Sequence, residues 1–144
     1  MWSEAETRQI VAVAGDAIVV SDPAGLITVW NPAAERIFGY AEAEAIGRPL
    51  DLITPERQRK RHWEGYHKTM QTGVTRYGTE VLRVPALHKD GRPLSIAFTV
   101  GLLRDADEAV TGILAIIRDE TQRWARDREV SRRLAELEAA AATP

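Results

Sequence analysis

The chain has 144 residues, 44% of them hydrophobic, the size and apolar content of one globular domain with a single core. Its 19 Lys and Arg against 21 Asp and Glu give a formal net charge of −2, too little to draw in nucleic acid or an anionic membrane surface. Cysteine is absent, which excludes disulfides, thiolate-held iron–sulfur clusters, covalent c-type haem, thiol nucleophiles and flavin–thiol adducts. The opening MWSEAETRQIVAVAG has no basic start before an apolar signal core, and no uncharged apolar run approaches the length of a membrane span. A cytoplasmic location with no membrane partner is expected. HExxH, P-loop and GxGxxG patterns are also absent.

Ser3 is placed to cap a helix with Glu4 and Glu6 in its first turn, an apolar side at Ile10, Val11 and Ala14, and a stop at Gly15. Ala17 to Val20 and Leu26 to Trp30 are β-branched runs flanking Asp22-Pro23-Ala24-Gly25, which predicts a β-hairpin. Asn31-Pro32 then reads as N-cap and first helical residue of a short helix burying Ile37 and Phe38. Glu42 to Ile46 makes another turn, closed by Gly47-Arg48-Pro49, and Leu50, Leu52 and Ile53 are expected in the core. Thr54-Pro55-Glu56 supplies an N-cap, a proline and an early acid, predicting a helix over about 55–71 that stops at Gly73. Strands are predicted over 79–87, 94–103 and 110–117, joined by the turns HKDG and DADE. From Asp119 onward the pattern is helical, with Val130, Leu134, Leu137 and Ala141 forming a narrow seam at coiled-coil spacing.

This order, two strands, several helices, three strands and a helix at each end, predicts an α+β domain: a five-stranded antiparallel sheet with helices on one face. The expected divisions are an N-terminal cap helix over 1–15, the core over 16–120, and a signalling or coiled-coil helix over 121–144. That seam cannot be buried by one helix alone, so a homodimer is expected. No nucleophile–base pair or carboxylate dyad can be argued from spacing, so an enzyme is not expected. The acidic turn Asp105, Asp107, Glu108 and the basic run 57–61 read as solvated.

The segment PERQRKRHWEGYHKTMQTG carries two of the three histidines. His67 lies five positions after His62, roughly 140° around a helix at about 100° per residue, so only one of them can face a cavity. Tyr66, Thr69 and Met70 share the face of His62, with Trp63 flanking it. A lone histidine is more often packed or solvated than a ligand, and both readings stay open for His62; His67 and His88 are expected in solvent.

The stretch DAIVVSDPAGLITVWNPAAERIFGYAEAEAIGRPL, with KDGRPLSIAFTV and IIRDETQR later, resembles a PAS domain over roughly residues 8–125. The resemblance implies the PAS fold, a cavity between sheet and helices, and an Asp119–Thr121 exit into a signalling helix. His62 falls at the place of the proximal histidine in haem-binding PAS gas sensors, which implies haem b on His62 and a diatomic ligand, CO, NO or O2. The same resemblance sets Tyr77, Leu82, Phe98 and Val100 along the gas pocket and Lys68 and Arg76 near the propionates; Tyr66 and Met70, on the His62 face, and Leu114 are the further candidate cofactor contacts. Taken singly, Trp30, Phe38, Phe98 and Leu114 read as core packing sooner than as cofactor contacts. Two positions depart from the haem sensors: Leu82 replaces an arginine that hydrogen-bonds oxygen, and Glu80 replaces a methionine ligand. An apolar distal wall without a donor, unless Tyr77 serves, favours CO or NO. The competing readings are a cofactor-free dimerisation and relay module, which tolerates His62→Ala, and a PAS domain binding FAD or a small metabolite. The output would lie in a kinase, cyclase or chemoreceptor partner, outside these 144 residues if covalently joined.

Overall fold

In the computed structural model, which describes residues 1–75 and 78–142, the predicted elements occur in the predicted order. Ser3 Oγ accepts the Glu6 amide at 3.1 Å and starts α1, Glu4–Val13. The hairpin is β1, Ala17–Ser21, and β2, Ile27–Trp30. Asp22 organises the turn between them, its Oδ1 accepting the amides of Ala24 and Leu26, both at 2.9 Å. Then come α2, Pro32–Phe38; α3, Glu42–Ala45; a 3-10 turn, Leu50–Ile53; and α4, Glu56–Thr72. β3, Leu82–Leu87, β4, Pro93–Arg104, and β5, Val110–Asp119, complete the sheet, and α5 runs over Thr121–Ala142.

The five strands lie in the order β2-β1-β5-β4-β3, and every pairing is antiparallel. Pairing of the first strand with the last puts β5 at the centre of the sheet, directly before α5. Register assigns the faces, because residues opposite one another point to the same side. Ala17, Val19 and Ser21, all buried, face Ile117, Ala115 and Ile113, which face Phe98, Val100 and Leu102. That is the inner face. Trp30, Phe38, Ile27 and Leu94 are the largest fully buried side chains upon it. Each contributes roughly 1.5–3 kcal/mol through its removal from water. The Trp30 and Phe38 rings meet at 5.4 Å, and Trp30 Nε1 donates to the Tyr40 carbonyl at 3.0 Å.

Asn31 caps α2, as its sequence context predicts, and does more. Its Oδ1 accepts the amides of Ala34 at 3.0 Å and Ile18 at 2.9 Å, while Nδ2 donates to the carbonyls of Val11 and Asp16. One buried side chain thus joins α1, β1 and α2.

Two local expectations fail. Thr54 is not the N-cap of α4; Pro55 takes that position, and the Thr54 hydroxyl donates instead to the Leu50 carbonyl at 2.8 Å. His88 is not in solvent: its side chain is 15% exposed and packs over Gly39, the left-handed C-cap of α2 at φ +83°. A Cβ on Gly39 would lie 2.6 Å from the His88 ring, so the burial of one depends on the bareness of the other. No residue of α1 or α5 is buried; Trp2 just before α1, Ile10 and Val13 on α1, and Val130, Leu134 and Leu137 on α5 remain exposed.

Candidate functional site

The inner face of the sheet is unevenly covered. Ala17, Val19, Leu94 and Ile117 on it are closed, whereas Phe98, Val100, Leu102, Ile113 and Ala115 stay only half-buried. Leu82, opposite Phe98 at the start of β3, is half-buried too. An apolar, half-open stretch of the inner face therefore runs across β3–β5.

The sheet-facing side of α4 is built from residues three and four apart, as helical geometry requires. Tyr66 is buried at 6% exposure, His62, Trp63, Thr69 and Met70 are half-buried, and His67 and Lys68 are exposed. The side-chain face predicted for His62, Tyr66, Thr69 and Met70 is thus the one that packs, whereas Lys68 stands on the solvent side. Arg59, read as part of a solvated run, instead lies against the 3-10 turn, where Nε donates to the Thr54 carbonyl at 3.1 Å and Nη2 to that of Asp51 at 3.3 Å.

Polar tethers fix this face. The Trp63 indole N–H donates to Asp51 Oδ1 at 2.8 Å, and its ring occupies the space above Gly25, whose Cβ would sit 2.2 Å from two ring carbons. The Tyr66 hydroxyl donates to the Asp22 carbonyl, which can only accept. Ser21 Oγ, 2.9 Å away, must therefore be the donor to the Tyr66 oxygen. Burial pushes the phenol's pKa up, opposed by the Ser21 hydrogen bond and assisted by the Asp22 charge. Ser21, Asp22, Gly25 and Asp51 were not legible as site residues in the sequence, although the Asp-x-x-Gly turn that holds two of them was.

His62 sits among these groups with its ring 4.9 Å from Trp63, edge-on, and 5.9 Å from Tyr66. Burial holds its pKa below the ordinary 6.5, with the nearby Asp51 charge pulling the other way, so the ring is neutral at pH 7. Its Nδ1 is buried and has no hydrogen-bond partner. A buried, unpartnered imidazole nitrogen is costly unless something completes it. Among the described residues no three His, Asp or Glu side chains gather as a metal cage, so the donor chemistry on offer is a single neutral imidazole beside an apolar surface. That combination fits an axial ligand to haem.

Leu114 requires correction. It is paired with Val20 and Gly101, one residue out of step with Ala115, and so points to the outer face. There it lines a 290 Å³ cleft with Gly78, Thr79, Thr99, Gly101, Ile116 and the Val100 segment. It is neither inner-core packing nor a contact of the half-open stretch of the inner face. Arg76 and Tyr77 lie outside the described residues.

At the exit, Asp119 Oδ1 accepts the Thr121 amide at 2.9 Å and Thr121 Oγ1 accepts the Ser95 amide at 3.0 Å, which anchors the start of α5 to β4. Arg118 pairs with Asp16 through both guanidinium arms, at 3.0 and 3.1 Å.

A sheet with a half-open apolar stretch, a tethered helix, and a helix leaving its central strand, defines a small sensory module. The PAS fold family model matches residues 5–119, and the chain belongs to that family. It is 30% identical over 133 residues to the sensor protein FixL of Bradyrhizobium diazoefficiens, covering 91% of this chain and 26% of that protein. With the signal transduction histidine-protein kinase AtoS of Escherichia coli it shares 29% identity over 131 residues, 90% of this chain and 19% of the relative. A crystal structure of a PAS domain from Colwellia psychrerythraea superposes with a TM-score of 0.71 at 25% identity, covering 82% of this chain and 97% of the other. The chain is thus a PAS sensory domain related to those of histidine kinase sensors, and it spans 18–26% of the length of the first three curated relatives.

Proposed function

We propose that this domain binds haem b through His62 and senses a diatomic gas, passing the signal through the Asp119–Thr121 exit to α5. The observation that carries the reading is the buried, unpartnered Nδ1 of a neutral histidine on α4, in a domain with a half-open apolar face. Bound haem would supply an open coordination position for the gas. In this reading the chain's own residues hold and select. His62 provides the axial nitrogen, with Trp63 and Tyr66 fixing the ring between them. Leu82, Phe98 and Val100 offer no hydrogen-bond donor, and the Tyr66 hydroxyl is already committed to Asp22 and Ser21. An oxygen ligand gains little from such a wall, so CO or NO is the favoured gas.

The output partner proposed is a histidine kinase module, in keeping with the relatives, and the domain itself carries out no catalysis. The exposed Val130, Leu134 and Leu137, 64%, 55% and 69% accessible, favour pairing of α5 with a second copy. A cytoplasmic setting suits both partners; no described helix is long and apolar enough to cross a membrane.

The deciding experiment is the visible spectrum of protein expressed with haem precursor, oxidised, reduced and under CO, beside His62→Ala. A Soret band that shifts with CO and is lost or altered in the variant is the expected outcome. A protein that stays colourless and refuses added hemin overturns the haem reading and leaves a dimerising or metabolite-binding domain.

A further inference from the structure

Three tethers hold α4 at its N-terminal two-thirds, at Arg59, Trp63 and Tyr66, and all three reach the 3-10 turn or the β1–β2 turn. Its C-terminus is held by a residue at the end of β4. Gly73 caps α4 in the left-handed conformation, φ +68°, and its carbonyl accepts Nη2 of Arg104, the last residue of β4. The other arm, Nη1, donates to the Glu108 carbonyl at 3.0 Å. Glu108 is the tip of the β4–β5 turn and the one non-glycine described residue at positive φ, +65°. Val110 packs behind, its Cγ2 3.8 Å from where a Gly73 Cβ would be.

A guanidinium at this place satisfies a carbonyl that the helix leaves without an internal partner and meets the negative end of the helix dipole. It also makes the helix end and the hairpin tip one mechanical unit. The hairpin's second strand, β5, is the central strand and continues straight into α5. We infer that Arg104 is a positioning residue, a two-armed clamp through which displacement of α4 reaches the β4–β5 hairpin and then the α5 exit. This deepens the regulation of the site proposed above and, in its coupling to a bound ligand, rests on that reading.

The test has two arms. Without any cofactor, amide hydrogen exchange is followed in Arg104→Ala. Exchange is expected to rise about fivefold at residues 69–74 and 105–110 together, while the β1–β2 turn, 22–26, is unchanged. Because the chain has no cysteine, spin labels at His67→Cys and Asp107→Cys are unique, and their distance distribution is expected to broaden in the same variant. Arg104→Lys, able to reach one carbonyl but not both, is expected to fall between. No change at 69–74, or a uniform rise across the chain, overturns the clamp.

In the second arm, hemin-loaded protein, reduced to the ferrous state with dithionite under anaerobic conditions, is compared with and without CO. The wild type is expected to change its exchange at 121–125, and Arg104→Ala to lose that change with its Soret band intact. Persistence of the α5 change in the variant refutes the route. If the wild type takes up no hemin, the haem reading fails by colour alone, and the first arm still decides whether the clamp exists.

Discussion

Removal of one oxygen atom, in Tyr66→Phe, tests the geometry of the site most directly. The ring, buried at 6% exposure, keeps its packing, so the change is confined to two hydrogen bonds. The Asp22 carbonyl loses its donor, but it also accepts the Gly25 amide at 2.9 Å and is not orphaned. Ser21 Oγ, in a residue only 2% exposed and so shielded from bulk water, loses the acceptor for its proton. An unmade hydrogen bond at a buried hydroxyl costs about 1–3 kcal/mol, and we expect a loss of about 2 kcal/mol, or roughly 4–8 °C in Tm for a domain of this size. Urea unfolding followed by tryptophan fluorescence and circular dichroism measures it, with the m value checked for constancy. The reasoning makes a sharper demand through a double-mutant cycle. Ser21→Ala removes the stranded hydroxyl, so the double variant should cost at least 0.5 kcal/mol less than the sum of the singles, a coupling of the size expected for groups in contact. A Tyr66→Phe loss below about 0.5 kcal/mol, with no coupling to Ser21, would show that the hydroxyl is not held as described.

Two further outcomes follow from the same region. Gly25→Ala places a methyl at φ +83° and 2.2 Å from the Trp63 ring, so the ring must leave its seat on the turn; roughly 2–4 kcal/mol of stability and a shift in Trp63 emission are expected, and an unperturbed urea midpoint would contradict the contact. His62 is neutral in the native state with its pKa lowered by burial, so the unfolded chain takes up its proton first as pH falls through about 6.5. Its contribution is complete above that value and is lost toward pH 5. Cofactor-free wild type should therefore lose stability relative to His62→Gln between pH 7 and 5, and parallel urea midpoints across that range would refute the assignment.

Local signals were readable and the non-local ones were not. Asn31-Pro32 gave the start of α2, and Gly73 gave the end of α4, because caps depend on the backbone geometry of a few adjacent residues. Thr54 misled for a related reason: its hydroxyl had a carbonyl of the preceding 3-10 turn within reach and took that partner instead of an α4 amide. Leu114 belongs to the unbroken apolar run Ile113 to Ile117, and a run without alternation carries no face assignment until pairing with Val20 and Gly101 supplies one. Of the site, the His62 face of α4 was legible from helical spacing alone. Its partners were not, since Tyr66 and Ser21 stand 45 residues apart and Arg104 and Gly73 stand 31 apart.

Under the function proposed above, stability and sensing would fall to two ends of one sheet. Moving α2 would open space around Phe38 and Trp30, both at 1% exposure or less. Losing the packing of a Phe- or Trp-sized core side chain costs about 3–5 kcal/mol, so unseating Trp30 and Phe38 together would take up most of a domain's total stability. Helix α4 is held differently, by directional hydrogen bonds at Arg59, Trp63 and Tyr66 over side chains that remain half-buried. Each such bond is worth about 1 kcal/mol net, and each can be exchanged for one to water or to a ligand. Under the proposed function, a ligand that completes His62 would need only a few kcal/mol of differential binding to reposition α4, an amount within reach of one coordination bond, with the α2 half as the fixed frame.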